Sequence, residues 1–93
     1  METRERLVRE LAAISAAYRA GSVHLSSLAS RVEFLIEQMR VHLSAQDFAH
    51  TMNCVYRIEE INAVILDEQR QLTQSENQAI ENDISLLENL ISR

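Results

Sequence analysis

Between Leu25 and Leu43 the apolar residues Leu25, Leu28, Val32, Leu35 and Met39 recur at alternating steps of three and four. At about 100° per residue they form one stripe along an α-helix; a strand, with its period of two, cannot gather that set on one face. Ala29, Ile36 and Leu43 broaden the stripe by a residue per turn. That width suits a helix packed among several neighbours better than a narrow two-stranded seam. Further helices must therefore come from the rest of the chain to cover it.

The remaining sequence is suited to supply them. There is no proline and one glycine, so the turn chemistry of β-hairpins is missing and an all-α fold is expected. Tyr18, Phe34, Phe48 and Tyr56 are the only aromatics, which leaves the core to leucine, isoleucine, valine and alanine. At 93 residues the chain is expected to be one helical domain spanning 1–93. Folding at that length buries about 60–65% of the unfolded surface, enough for a small core and too little for a deep pocket.

The helix boundaries are expected as follows. The first helix runs from about Arg4 to Ala20, with Thr3 as N-cap, Leu7, Leu11, Ile14 and Tyr18 as its stripe, and Gly21 as the left-handed residue that ends it. Ser22 then caps the second helix, the Leu25 stripe, and so short a link makes the two antiparallel. Ser44-Ala-Gln-Asp47 has the form of a capping box with aspartate in the acidic place, so a break is expected there. An unbroken helix, which would align Phe34, Val41, Phe48 and Val55 at sevens, is the alternative. The third helix, about Ala45 to Arg70, has two apolar faces: Phe48, Ala49, Met52, Tyr56, Ala63 and Leu66 on one, Cys54, Ile58, Ile61 and Ile65 on the other. Thr73-Gln-Ser-Glu76 is a full capping box, and Ile80, Ile84, Leu87 and Ile91 follow it as the stripe of a fourth helix flanked by Ala79, Leu86 and Leu90. The expectation is an antiparallel bundle or helical hairpin of about four helices with very short turns.

Charge and cysteine usage narrow the function classes. All nine basic residues are arginine, and the net charge is −5. Residues 1–44 hold six arginines against five glutamates, and residues 45–93 hold three against nine acids, so the excess lies in the second half. Arg4, Arg6 and Arg9 cluster, but Glu2, Glu5 and Glu10 are interleaved with them, a pattern of salt-bridged solubility rather than a nucleic-acid-binding patch. A lone Cys54 allows no internal disulfide and fits a reducing compartment. Charges run through the N-terminal segment where a signal peptide needs an unbroken apolar stretch, and no uncharged run approaches the ~20 residues of a membrane span. The chain reads as a complete, acidic, cytoplasmic protein that contacts neither membrane nor nucleic acid directly.

No constellation carries catalytic chemistry. His50 and Cys54 share a helical face at a spacing used by metals, but only His24 and His42 remain to complete a site, so no metal is expected. Glu59, Glu60, Asp67 and Glu68 lack the repeated Glu-x-x-His pattern of four-helix di-metal centres and read as a solvated acidic face. No glycine-rich phosphate loop is present, and no cofactor is expected. The informative residues are those beyond the core. Val23, Phe34 and Val41 lie opposite the Leu25 stripe, and Cys54, Ile58, Ile61 and Ile65 form a second face on the third helix. These seven are the expected partner-binding residues. The expected function is non-enzymatic: a small adaptor, inhibitor or co-chaperone that docks apolar helical faces on a larger protein, itself a homodimer. An acidic mimic that blocks a nucleic-acid-binding protein and a purely structural helical oligomer are the alternatives.

Overall fold

A computed structural model describes residues 3–92. Four helices follow one another, α1 (Thr3–Arg19), α2 (Leu25–Met39), α3 (Ala45–Glu68) and α4 (Gln74–Ile91), and no strand occurs among the described residues. Each helix packs antiparallel on the next and α4 closes back on α1, giving an up-and-down bundle of 40 × 26 × 18 Å. Side-chain bonds pin all four seams: Arg31 to Glu10 for α1–α2, Ser26 to Asn62 for α2–α3, Arg57 to Asp83 for α3–α4, and Tyr18 to Asn77 with Arg19 to Glu81 for α1–α4. Thr3 lies inside α1 rather than capping it, and Glu2 and Arg93 fall outside the described residues.

The core is the set of stripes brought together. Leu28, Val32, Leu35, Ile36 and Met39 of α2 are enclosed, as are Ile80, Ile84, Leu87 and Ile91 of α4. On α1 the covered line is Leu7, Leu11 and Ser15, with Ile14 and Tyr18 only half-buried, so that stripe is turned by one residue from expectation. The small side chain of Ser15 occupies this line with its hydroxyl unpaired.

The turns show where local chemistry decides. Gly21 takes φ +79°, Ser22 N–H bonds Ala17 O at 2.9 Å and Gly21 N–H bonds Tyr18 O at 3.0 Å, the 6→1 and 5→2 pair of a Schellman ending. α2 begins only at Leu25, so Ser22 does not stand at its cap. His24 takes the N-cap position instead, without a side-chain bond to the helix. At the second turn a 3-10 segment, Arg40–His42, follows α2, and Leu43 swings to an extended conformation. Ser44 Oγ then accepts the Asp47 N–H at 3.0 Å. The helix is therefore broken at Ser44. Ser44→Ala should lower stability by about 0.5–2 kcal/mol and Ser44→Gly by only a few tenths, read by denaturant unfolding. Glycine worse than alanine would mean that the hydroxyl caps nothing. At the third turn Gln69 adopts the left-handed region at φ 52°, and Arg70 forks onto Glu76 at 2.8 Å from both terminal nitrogens. The capping box of Thr73 and Glu76 is complete. The Arg70 bond, followed by the Thr73 N–H, holds the Glu76 carboxyl down at about 2.

Candidate protein-docking face

With the core occupied, large apolar side chains remain exposed on α2 and α3, and Leu86 on α4. On α2, Phe34 is 55% exposed, and Val41, just beyond the helix, is 84% exposed. Both lie opposite the Leu28–Met39 stripe, where the helical period puts them. The Arg31 guanidinium lies 5.5 Å from the Phe34 ring centroid and is itself anchored to Glu10 at 2.6 Å. That contact covers one flank of the ring and leaves the rest to solvent. On α3, Tyr56 is 56% and Leu66 61% exposed, with the exposed Ala63 between them in sequence.

The other expected contact residues are elsewhere. Val23 is half-buried in the α1–α2 link. Cys54 and Ile58 are wholly enclosed, and Ile61 and Ile65 pack half-buried against the core. This corrects the assignment of Cys54 and Ile58 to an outer surface, while Ile61 and Ile65 keep part of their side chains exposed. Helix α3 stands between α2 and α4, and the face that meets both is the one carrying Cys54, Val55 and Ile58. The face carrying Tyr56, Ala63 and Leu66, of a kind with core residues in the sequence, is turned to solvent. Nothing in the periodicity separates the two, because both are apolar at helical spacing.

Cys54 is no reactive thiol. Burial, then the nearby Asp83 charge, push its pKa up, and its sulfur lies 3.3 Å from a guanidinium nitrogen of Arg57. Among the described residues no three His, Cys, Asp or Glu side chains converge as metal ligands. An open cleft of about 590 Å³ bounded by His24, Leu25, Ile65, Leu66 and Leu72 lies at one end of the α2–α3 pair. No helix among the described residues is long and apolar enough to cross a membrane.

Ion pairing is distributed unevenly around the bundle. Arg19 takes Glu81 and Glu88, Arg57 takes Asp83, Arg70 takes Glu68 and Glu76, and Glu10 is shared by Arg6 and Arg31. Among the described residues no arginine pairs with Glu33 or Glu37 of α2 or with Glu59, Glu60 or Asp67 of α3. Partial burial, then the charge of nearby Glu33, raise the Glu59 pKa. Arg40, beyond the end of α2, stacks 4.6 Å from the Phe48 ring centroid of α3. Sequence reading places these acids on a solvated face, but their lack of partners depends on where the other helices put their arginines.

The fold thus defines an all-α, up-and-down four-helix bundle whose outer α2–α3 surface is apolar and acidic together. No protein-family model matches the chain, and no similar protein is found among the curated proteins or the solved structures.

Proposed function

We propose that this chain is a non-enzymatic protein-binding module that docks a partner protein on the outer α2–α3 surface, with Phe34 as the anchor. The observation that carries this reading is the half-exposed aromatic on a helix whose opposite side is already full. An aromatic in that position removes much surface from water when covered and loses little rotamer freedom, which is why such residues dominate interfaces. Val41 and Tyr56 are further exposed apolar side chains on the same pair of helices. The reading covers an adaptor, an inhibitor or a co-chaperone alike, since all three bind in this way.

The decisive experiment compares capture of protein partners by the wild-type chain and by Phe34→Glu. The variant should keep its circular dichroism and unfolding midpoint while binding a captured partner at least ~5–30-fold more weakly, which corresponds to about 1–2 kcal/mol. Undiminished binding would show Phe34 to be an incidental surface residue, and global unfolding would place it in the core.

Self-association through the same face is the second reading, favoured by the exposed Phe34 and Val41. A two-fold interface would set Glu33, Glu37, Glu59 and Glu60 near their own copies, a like-charge contact that disfavours it. Sedimentation over a range of protein concentrations distinguishes a dimer from a monomer awaiting another partner.

A further inference from the structure

We infer that this chain pairs with a second copy of itself by domain swapping. The turn between α2 and α3 straightens, the two helices become one, and α1–α2 of each copy packs on α3–α4 of the other. The docking reading above plays no part in this, since Phe34 is not used.

The first argument is the turn itself, which is nearly helical already. Met39 and Arg40 hold right-handed helical angles and Arg40–His42 continue as a 3-10 turn. Only Leu43 (φ −118°, ψ 149°) and Ser44 (φ −64°, ψ 160°) are extended, so rotation about two residues joins α2 to α3. No glycine or proline follows Gly21 to oppose an unbroken helix. The other two turns are locked. Gly21 and Gln69 are left-handed at φ 79° and 52°. The first turn is closed by a Schellman pair, the other by the Arg70 fork on Glu76 and a capping box. Less holds the α2–α3 turn: the Ser44 cap, the Arg40 stack on Phe48, and a Leu43 N–H lying 3.4 Å from Arg40 O. Straightening gives these up. In exchange the N–H groups of Ala45, Gln46 and Asp47 gain the carbonyls of Val41, His42 and Leu43.

The second argument is the phase of the seam. Ser26 and Asn62, which bond each other between α2 and α3 at 3.0 Å, are 36 residues apart. At 3.6 residues per turn that is about ten whole turns, so in an unbroken helix both lie on one face. Ser44 stands midway between them. A second, antiparallel copy of the long helix therefore remakes the same bond twice, about a two-fold axis through Ser44. Val41, 84% exposed in the closed chain, lies beside that axis and gains cover from the second helix. The α1–α4 seam is likewise rebuilt between copies, Arg19 of one with Glu81 of the other. The helix-to-helix contacts of the closed bundle recur, so the balance is set by the hinge and by protein concentration.

Sedimentation equilibrium of the full chain from about 5 μM to about 1 mM should show monomer passing to dimer. Ser44→Ala removes the cap of the closed turn and favours the helix, so its dimer dissociation constant should fall at least ~5-fold. Ala45→Pro acts in the opposite sense. Proline suits the first position of α3, and Ser44 before it already has the extended angles that a proline requires, but the unbroken helix is forbidden. This variant should keep its circular dichroism and stay monomeric at every concentration. Mixing tells a swapped dimer from any other. Arg19→Glu and Glu81→Arg each set like charges across their own α1–α4 seam, whereas a swapped pair of the two sets opposite charges across both. Refolded together from urea, they should give at least ~5-fold more heterodimer by native mass spectrometry than random assortment. Phe34→Glu should leave the dimer unchanged. A wild-type chain monomeric throughout, a Ser44→Ala dimer no tighter than wild type, or random assortment would overturn the inference. So would a dimer that survives Ala45→Pro or is lost with Phe34→Glu. Should the proline variant not fold, the assortment decides alone. Loss of the swap leaves partner capture through Phe34 untouched, and failure of that capture leaves the swap standing.

Discussion

Leu35→Ala should lower the unfolding free energy by about 2–5 kcal/mol, the largest single effect expected in this molecule. Leu35 is 1% exposed, in the middle of the α2 stripe, with Val32, Ile36 and Met39 enclosed around it. Truncation loses the transfer free energy of the removed carbons. It also leaves a cavity into which the surrounding side chains relax only in part. Domains of this size have about 5–15 kcal/mol of stability in total, so the variant should lie near the edge of folding. Urea unfolding followed by circular dichroism gives the value. A loss below about 1 kcal/mol would mean that the α2 stripe is not what holds the bundle together.

The second large effect is expected at the α3–α4 seam. Asp83 is 7% exposed and accepts three hydrogen bonds from Arg57, at 2.8, 3.1 and 3.2 Å. Removing the arginine strands a carboxylate among apolar neighbours. Breaking a fully buried pair costs about 3–5 kcal/mol. Because half of the Arg57 side chain is in water, a smaller loss, about 2 kcal/mol, is expected for Arg57→Ala. The double replacement Arg57→Met/Asp83→Leu should recover most of it, since an apolar pair needs no desolvation of charge. A double-mutant cycle on the same unfolding measurement separates the terms. Additive losses, with no recovery in the double variant, would show that the pair is not coupled and that Arg57 acts through its aliphatic stem alone.

Much of this architecture is legible without coordinates, and for local reasons. The helix boundaries at Gly21, Ser44 and Thr73 are written in backbone chemistry that acts within four residues. Gly21 suits a left-handed ending, and a hydroxyl at Ser44 or Thr73 accepts an N–H three residues on. The α2 and α4 stripes are equally plain, because each helix has one strong apolar side and burial selects it. Ser22 is instructive as an exception. Its residue type suits a cap, but it lies within the ending of α1, its N–H bonded to Ala17, and α2 starts later, with His24 in the cap position.

What only the tertiary structure decides is which of two comparable faces is covered and which charges find partners. Helix α3 carries Cys54, Ile58, Ile61 and Ile65 on one side and Tyr56, Ala63 and Leu66 on another, and both satisfy the same period. Its place between α2 and α4 encloses Cys54 and Ile58 of the first and divides the second, with Met52 and Phe48 packed on the core and Tyr56, Ala63 and Leu66 exposed. Phe34 and Val41 remain exposed as expected, because α2 has one dominant stripe and they lie opposite it. Ion pairing is the other case. Arg19, Arg57 and Arg70 reach acids of α4 that are 6 to 69 residues away in sequence, while among the described residues no arginine pairs with Glu33 or Glu59. Apolar period and capping depend on neighbours along the chain and are therefore readable from it. The covered face and the unpaired carboxylate depend on the register of helices brought together from distant segments, which is set only when the bundle closes.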